Sequence, residues 1–172
     1  MRARSGFTLI ELMIAASLLS LAVLGLMGLI PMVTNLSETA QDTNLATAAI
    51  QQTAEAIRQY SDASFAYVWR DYNSTASDDP NGSGTAPGAT FAVSGLYNTA
   101  GNTTVGSITF YVNETVTNTT IGLPKDLNGD SDSSDTDVSG SYTILPFTVS
   151  VDWKDRAGLQ RHLEISSQVV DY

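Results

Sequence analysis

Leu12 to Ser37 is a run of 26 residues without a charge. As an α-helix it extends about 39 Å at 1.5 Å per residue, more than the roughly 30 Å hydrocarbon core of a bilayer. The segment is therefore long enough to span a membrane. Arg2 and Arg4 flank one end, and Glu38 and Asp42 flank the other. The positive-inside bias then places the amino terminus in the cytoplasm and the remainder outside, with a single pass. A cleaved secretory signal would have an apolar core of about 7–15 residues and a small-x-small site. This core is longer, and no such site follows it.

One residue disturbs the pattern. Glu11 sits at the mouth of the apolar span. A charged side chain near membrane depth costs about 2.5–3.5 kcal/mol at mid-bilayer on translocon scales and needs a partner. After Arg4 the next Lys, Arg or His is Arg58, beyond reach along one helix. Cutting the chain after Gly6 would create a partner, because Phe7 would then carry a free amine four residues before Glu11, and residues four apart share a helix face. The amine of one copy could also meet Glu11 of its neighbour.

The stretch Gly6-Phe7-Thr8-Leu9-Ile10-Glu11-Leu12, behind a short basic leader, resembles the signal of bacterial type IV pilins and type II secretion pseudopilins. The resemblance implies that a prepilin peptidase cuts between Gly6 and Phe7 and methylates the Phe7 amine. It implies that Glu11 pairs with the Phe7 amine of an adjacent pilin or pseudopilin subunit during assembly. It also implies residence in the inner membrane, with lipid around the apolar helix, and later in a filament. The close likeness covers about the first thirty residues. Similar pilin helices are thought to stretch on assembly, and Gly25, Gly28 and Pro31 are candidates for such a weak point; Pro31 removes one backbone hydrogen bond and is expected to kink the helix. Many major pilins close their carboxy-terminal region with a disulfide. This chain has no cysteine, which favours a minor pilin or pseudopilin.

The remaining composition narrows the options. The formal net charge is -10, and nucleic acid is an unsuitable partner because phosphate binding needs clustered Lys and Arg. Losing Arg2 and Arg4 with a leader would leave six basic against eighteen acidic residues, or -12. The absence of cysteine also excludes Cys-ligated zinc, and His162 is the one histidine. No nucleophile elbow, phosphate loop or recognisable pair of catalytic carboxylates occurs, so an enzyme is not expected. Six N-x-[ST] patterns, at Asn35, Asn73, Asn81, Asn102, Asn113 and Asn118, are expected by chance in a Ser/Thr/Asn-rich chain.

The organisation expected is an α+β, pilin-like one. Residues 1–6 form a prepilin leader, 7–34 a transmembrane and filament-core helix, and 35–62 an amphipathic extension of it. Residues 63–172 form a β-rich head. In the extension, Leu36, Ala40, Thr43, Thr47, Ile50, Ala54, Ile57 and Ser61 recur every three or four residues, as one stripe lying on a small domain does. Phe65, Tyr67, Trp69 and Tyr72 cluster where the helix should end and are expected to pack between helix and head. Residues 73–90 read as a loop. Strands are expected at 91–97, 107–116, 141–153 and 161–170, with Pro146 marking an edge or bulge and 154–160 a hairpin turn. They predict an antiparallel sheet of three or four strands packed on the outer half of the long helix. His162 is expected to face solvent on a strand.

The stretch 126–137, DLNGDSDSSDTD, has the spacing of calcium ligands. Oxygen side chains at loop positions 1, 3, 5, 9 and 12 are Asp126, Asn128, Asp130, Ser134 and Asp137, and calcium takes six to eight oxygens from such positions. The loop resembles a dockerin-type calcium loop, although Ser131 stands where the sharp turn prefers glycine. A solvated acidic loop without an ion explains the same residues. The leading expectation is thus a processed filament subunit. The alternative is a membrane-anchored surface binding module with a calcium-stabilised loop.

Overall fold

A computed structural model describes residues 8–96, 104–155 and 158–171. They fall into two compact units, Met1–Ala40 and Gln41–Tyr172. Helix α1 runs Leu9–Ser64 and is followed by a 3-10 turn, Phe65–Tyr67, and the short helix α2, Val68–Tyr72. Strands β1 (Thr90–Val93), β2 (Thr104–Phe110), β3 (Ile144–Lys154) and β4 (Gln160–Val170) complete the chain.

The first unit is apolar α1. It is long and apolar enough to cross a membrane, and none of its most apolar window is buried within the protein. Three hydroxyls of its apolar run bond back to the helix: Ser17 donates to the Met13 carbonyl and Ser20 to that of Ala16, each at 2.8 Å. Thr34 reaches the carbonyls of Ile30 and Pro31 at 3.1 and 3.0 Å. Polar groups closed in this way can enter hydrocarbon at little cost. The helix runs on through Pro31, and a Cβ at Gly25 or Gly28 would meet nothing within 4 Å.

In the second unit, α1 buries Asp42, Ala46, Ile50, Ala54, Ile57 and Ser61. The stripe expected from the sequence is met from Ile50 onward, but before it the buried positions are Asp42 and Ala46, not Thr43 and Thr47. Steps of four from Ile50 back to Asp42 keep one face, and the charge on Asp42 hides that phase from a count of apolar residues. Ile50 and Ile57 join Leu145, Phe147, Val149, Val151 and Trp153 of β3, Ile108 of β2 and Val169 of β4 in one core. Arg58 of α1 donates to the Ser167 hydroxyl of β4 at 2.8 Å.

The sheet is a four-stranded antiparallel meander in the order β1-β2-β3-β4. The expected strands are present with shifted ends. The expected strand 107–116 stops at Phe110, because the chain beyond leaves the ladder: the Val112 carbonyl accepts the Val138 N–H at 2.8 Å and Glu114 turns inward. Residues 97–103 lie outside those described, and so does the end of the expected strand 91–97.

Pro146 is not at a bulge, since it lies in β3 in unbroken register with Gln168 of β4. On its other side β2 pairs only as far as Phe147, so β3 is locally an edge at Pro146, as expected. The proline is tolerated because its carbonyl accepts the Tyr111 N–H at 3.0 Å, while β2 has already ended, so its missing N–H faces the residue just beyond that strand. Gly106 and Phe91 are cross-strand partners, and the Phe91 ring lies over Gly106 where any Cβ would stand. An aromatic ring covering a strand glycine restores the packing that the glycine lacks.

The aromatic cluster packs as expected, with one exception. Tyr72 is buried, and Phe65 and Trp69 are half-buried against the core. Phe65 packs against Tyr142, the rings tilted by 59° with centroids 5.1 Å apart. Tyr67 is exposed, with the Arg70 guanidinium 6.0 Å from its ring centroid. The Tyr60 hydroxyl donates to buried Asp71, whose carboxyl is held above the usual carboxylate range by burial and then by Asp79.

Candidate functional site

Two regions carry the candidate residues, the start of α1 and the acidic loop between β2 and β3. Gly6 and Phe7 lie outside the described residues. Thr8 is the residue before α1, and it caps the helix. Its hydroxyl accepts the Glu11 N–H at 3.3 Å, and its carbonyl accepts the N–H groups of Glu11 and Leu12 at 3.1 and 3.2 Å. Thr8-x-x-Glu11 has the spacing of a capping box, in which a Ser or Thr cap satisfies the N–H three residues on. That signal was legible in the sequence and went unused there. It sets Glu11 in the first turn, where the helix dipole favours a negative charge.

The surroundings of Glu11 are apolar. Leu9, Ile10, Leu12, Met13 and Ile14 are all more than half exposed. Among the described residues, no cationic group pairs with the Glu11 carboxylate. The arrangement is thus a carboxylate on an exposed apolar helix end, offered to whatever covers that end.

In the acidic loop, most of the side-chain oxygens are taken up by the loop's own backbone. Asp126 accepts the Gly129 and Ser131 N–H groups at 2.6 and 2.8 Å. Asn128 Oδ1 accepts the Asp130 N–H at 3.1 Å, and Asp130 Oδ1 accepts the Asp132 N–H at 2.8 Å. The Asn128 amide nitrogen donates to Asp130 at 3.3 Å and to Asp135 at 3.0 Å. Ser131 adopts a left-handed backbone, φ 74°, at the position where glycine is usual.

Of the five expected ligands, Asn128 and Asp130 come together, joined by Asp135, which the spacing argument passed over. The Ser134 hydroxyl instead donates to Asp132 at 2.9 Å, and Asp137 accepts the Ser139 N–H at 2.9 Å. These bonds hold Asp132 and Asp137 below the usual carboxylate range, through Ser134 and Ser133 for the first and Ser139 for the second. Among the described residues, no group of three or more His, Cys, Asp or Glu side chains is arranged to hold a metal ion.

Glu114 anchors the base of this loop and was not anticipated. It is fully buried. Its Oε1 accepts the Leu127 N–H at 2.6 Å, and its own N–H goes to the Asp135 carbonyl at 2.9 Å. Nothing in the sequence distinguishes it from a surface glutamate, since only the long β2–β3 connection brings it under residue 127. His162 is exposed on β4, as expected, with Nδ1 2.9 Å from Asp152 Oδ1 and Nε2 3.6 Å from Glu164 Oε2.

Comparison with known proteins agrees with the helix start and goes no further. Residues 1–27 match the family model for the prokaryotic N-terminal methylation motif. No curated protein and no solved structure matches the chain.

Proposed function

We propose that this chain, which carries the prokaryotic N-terminal methylation motif over residues 1–27, is a minor filament subunit of the type IV pilin and pseudopilin type. It is held in the inner membrane by the first half of α1 until prepilin peptidase cuts between Gly6 and Phe7 and the Phe7 amine is methylated. It then joins other subunits in a type IV pilus or a secretion pseudopilus. Phe7 and Glu11 are the assembly residues, the amine of one subunit neutralising the carboxylate of the next.

One observation carries this reading: Glu11 is an anion on an exposed apolar helix end, with no cation paired to it among the described residues. Covering that end without a countercharge leaves a buried unpaired charge, a penalty of about 3–5 kcal/mol. A neighbour's amine removes the penalty, so the charge pair favours one docking register over others. The Glu11→Ala variant is expected to insert and be cleaved, as read by mass spectrometry of its amino terminus. Its incorporation into filaments is expected to fall about tenfold or more, since 1.4 kcal/mol is already a factor of ten. Normal incorporation, or an intact Met1 in cells with active peptidase, would overturn the proposal.

A second reading concerns the acidic loop: calcium as its stabiliser, in a head that binds a surface ligand. What favours it is the approach of Asn128, Asp130 and Asp135 around Ser131 in its left-handed turn. Rotating the Asn128 amide by half a turn would direct its oxygen at the two carboxylates, at the loss of the Asp130 N–H bond to Oδ1, and would give a hard-oxygen donor set of the kind calcium takes. Asp135 then replaces Ser134 and Asp137 among the candidate ligands. Unfolding of the full chain in detergent at millimolar calcium and in chelator tests it. Equal unfolding temperatures would end the calcium reading.

A further inference from the structure

β4 leaves half of its backbone hydrogen-bonding groups outside the sheet, and the ladder identifies them. At one end of the β3–β4 pairing the Asp155 N–H donates to the Leu159 carbonyl at 3.0 Å, and at the other the Asp171 N–H donates to the Thr143 carbonyl at 2.9 Å. Antiparallel ladders alternate bonded and non-bonded pairs, so the odd-numbered residues of β4 bond to β3. Gln160, His162, Glu164, Ser166, Gln168 and Val170 therefore direct their N–H and C=O groups away from it. β4 ends the strand order and is eleven residues long. It has no proline and no lysine, and its register with β3 runs unbroken from Val170 to Gln160. Natural edge strands refuse partners by shortness, charged side chains, proline, bulges or a covering loop. β1, at four residues, is short; β4 is long, in regular register and free of proline, and its charged residues, Arg161 and Glu164, lie in its first half. Beside its middle a cavity of about 450 Å³ opens, lined by Ser166, Ser167, Gln168 and residues 119–122, all uncharged.

We propose that this edge pairs with β4 of a second copy of the chain, antiparallel about a two-fold axis at Ser166. Elsewhere a chain of net charge -10 repels its copy. In this register Ser166 faces Ser166, Glu164 faces Gln168, Leu163 faces Val169 and Arg161, already held by Asp155 of its own chain, faces Asp171, so no like charges stand opposite and an opposite charge stands beside each Arg161. Centring the pair on Ile165 sets Arg161 against Val169, and centring it on Ser167 sets Leu163 against Asp171. Of these three axes, the one at Ser166 sets Arg161 against Asp171. Its hydrogen-bonded positions are the even-numbered ones, whose groups point outward.

The chain has no cysteine, which makes the axis directly testable. Ser166→Cys in the full chain in detergent sets two thiols on one hydrogen-bonded pair, whose Cα atoms lie about 5.5 Å apart, within disulfide reach. Mild oxidation is expected to give covalent dimer about tenfold or more faster than for Ser107→Cys, an exposed control on interior strand β2, because pairing raises the effective thiol concentration. Light scattering of the unmodified chain is expected to give twice the chain mass. Ser166→Pro loses an outward N–H and keeps the ladder to β3, so it should retain its circular dichroism and lose the dimer. A monomeric unmodified chain, equal oxidation of the two cysteine variants, or a dimeric Ser166→Pro would overturn the pairing; the first would leave the edge to a strand of a different polypeptide.

Discussion

Asp155 closes the turn between β3 and β4 from a position where it is almost fully buried. Its Oδ1 accepts the Leu159 N–H at 2.9 Å, and its Oδ2 accepts Nε and Nη2 of Arg161 at 3.0 and 2.8 Å. Asp155→Ala would strand both donors. Breaking a buried pair costs about 3–5 kcal/mol, but Arg161 is 43% exposed, and water recovers part of its charge. The loss expected is about 1–3 kcal/mol, read as a lower midpoint in denaturant with unchanged slope. Asp155→Asn, which keeps an acceptor for Leu159, should lose less. Equal losses would place the effect in the charge alone.

His162 shows the opposite balance, a charge pair in water. Hydrogen bonding to Asp152, with Glu164 adding to it, holds its pKa above the ordinary 6.5. A histidine raised on folding adds stability that is fully present below its unfolded pKa and is lost as pH rises through the folded value. The side chain is 54% exposed, so the effect on stability is small, and the titration itself is the better readout. The imidazole midpoint, followed by NMR, is expected above 6.5 and should fall in Asp152→Asn. A midpoint at or below 6.5 in the unaltered chain would contradict the pairing.

At the scale of elements, β2 depends on one absent side chain. Gly106 is covered by the Phe91 ring, so Gly106→Ala must push the ring off β2. Such overpacking costs about 1–3 kcal/mol. In Phe91→Ala the space is open, so the two substitutions together should cost less than their sum, a coupling that a double-mutant cycle in denaturant measures. Strict additivity would mean that the ring has another place to go. Alternation announced the strands themselves, and the spacing of Ile50, Ala54 and Ile57 announced the buried face of α1. What alternation could not supply was the end of β2, because Tyr111 and Val112 continue the pattern while their backbone turns to Pro146 and Val138. The same long connection hid Glu114 and exchanged Asp135 for Ser134, since side-chain spacing does not say which oxygens a loop spends on its own N–H groups. Glu11 and its cap were legible because a helix start is local; its partner is not, because that partner would belong to another copy.

At the scale of the whole molecule, two electrostatic terms oppose each other. A chain of net charge -10, more negative once Arg2 and Arg4 leave, repels its neighbours in any array. The pairing proposed for Glu11 attracts, but over a few ångströms and away from water. Salt distinguishes them: the screening length falls from about 30 Å at 0.01 M to about 8 Å at 0.15 M, and buried pairs are screened far less than exposed charges. Assembly of the processed chain is therefore expected to strengthen as ionic strength rises through this range, as read by sedimentation of filaments from detergent-solubilised subunits. Glu11→Gln should weaken assembly at every salt concentration and leave the direction of the salt response unchanged. Were exposed attraction between heads the main driving force, added salt would instead dissolve the filaments, and the repulsion between the acidic surfaces would have to be overcome by contacts between them.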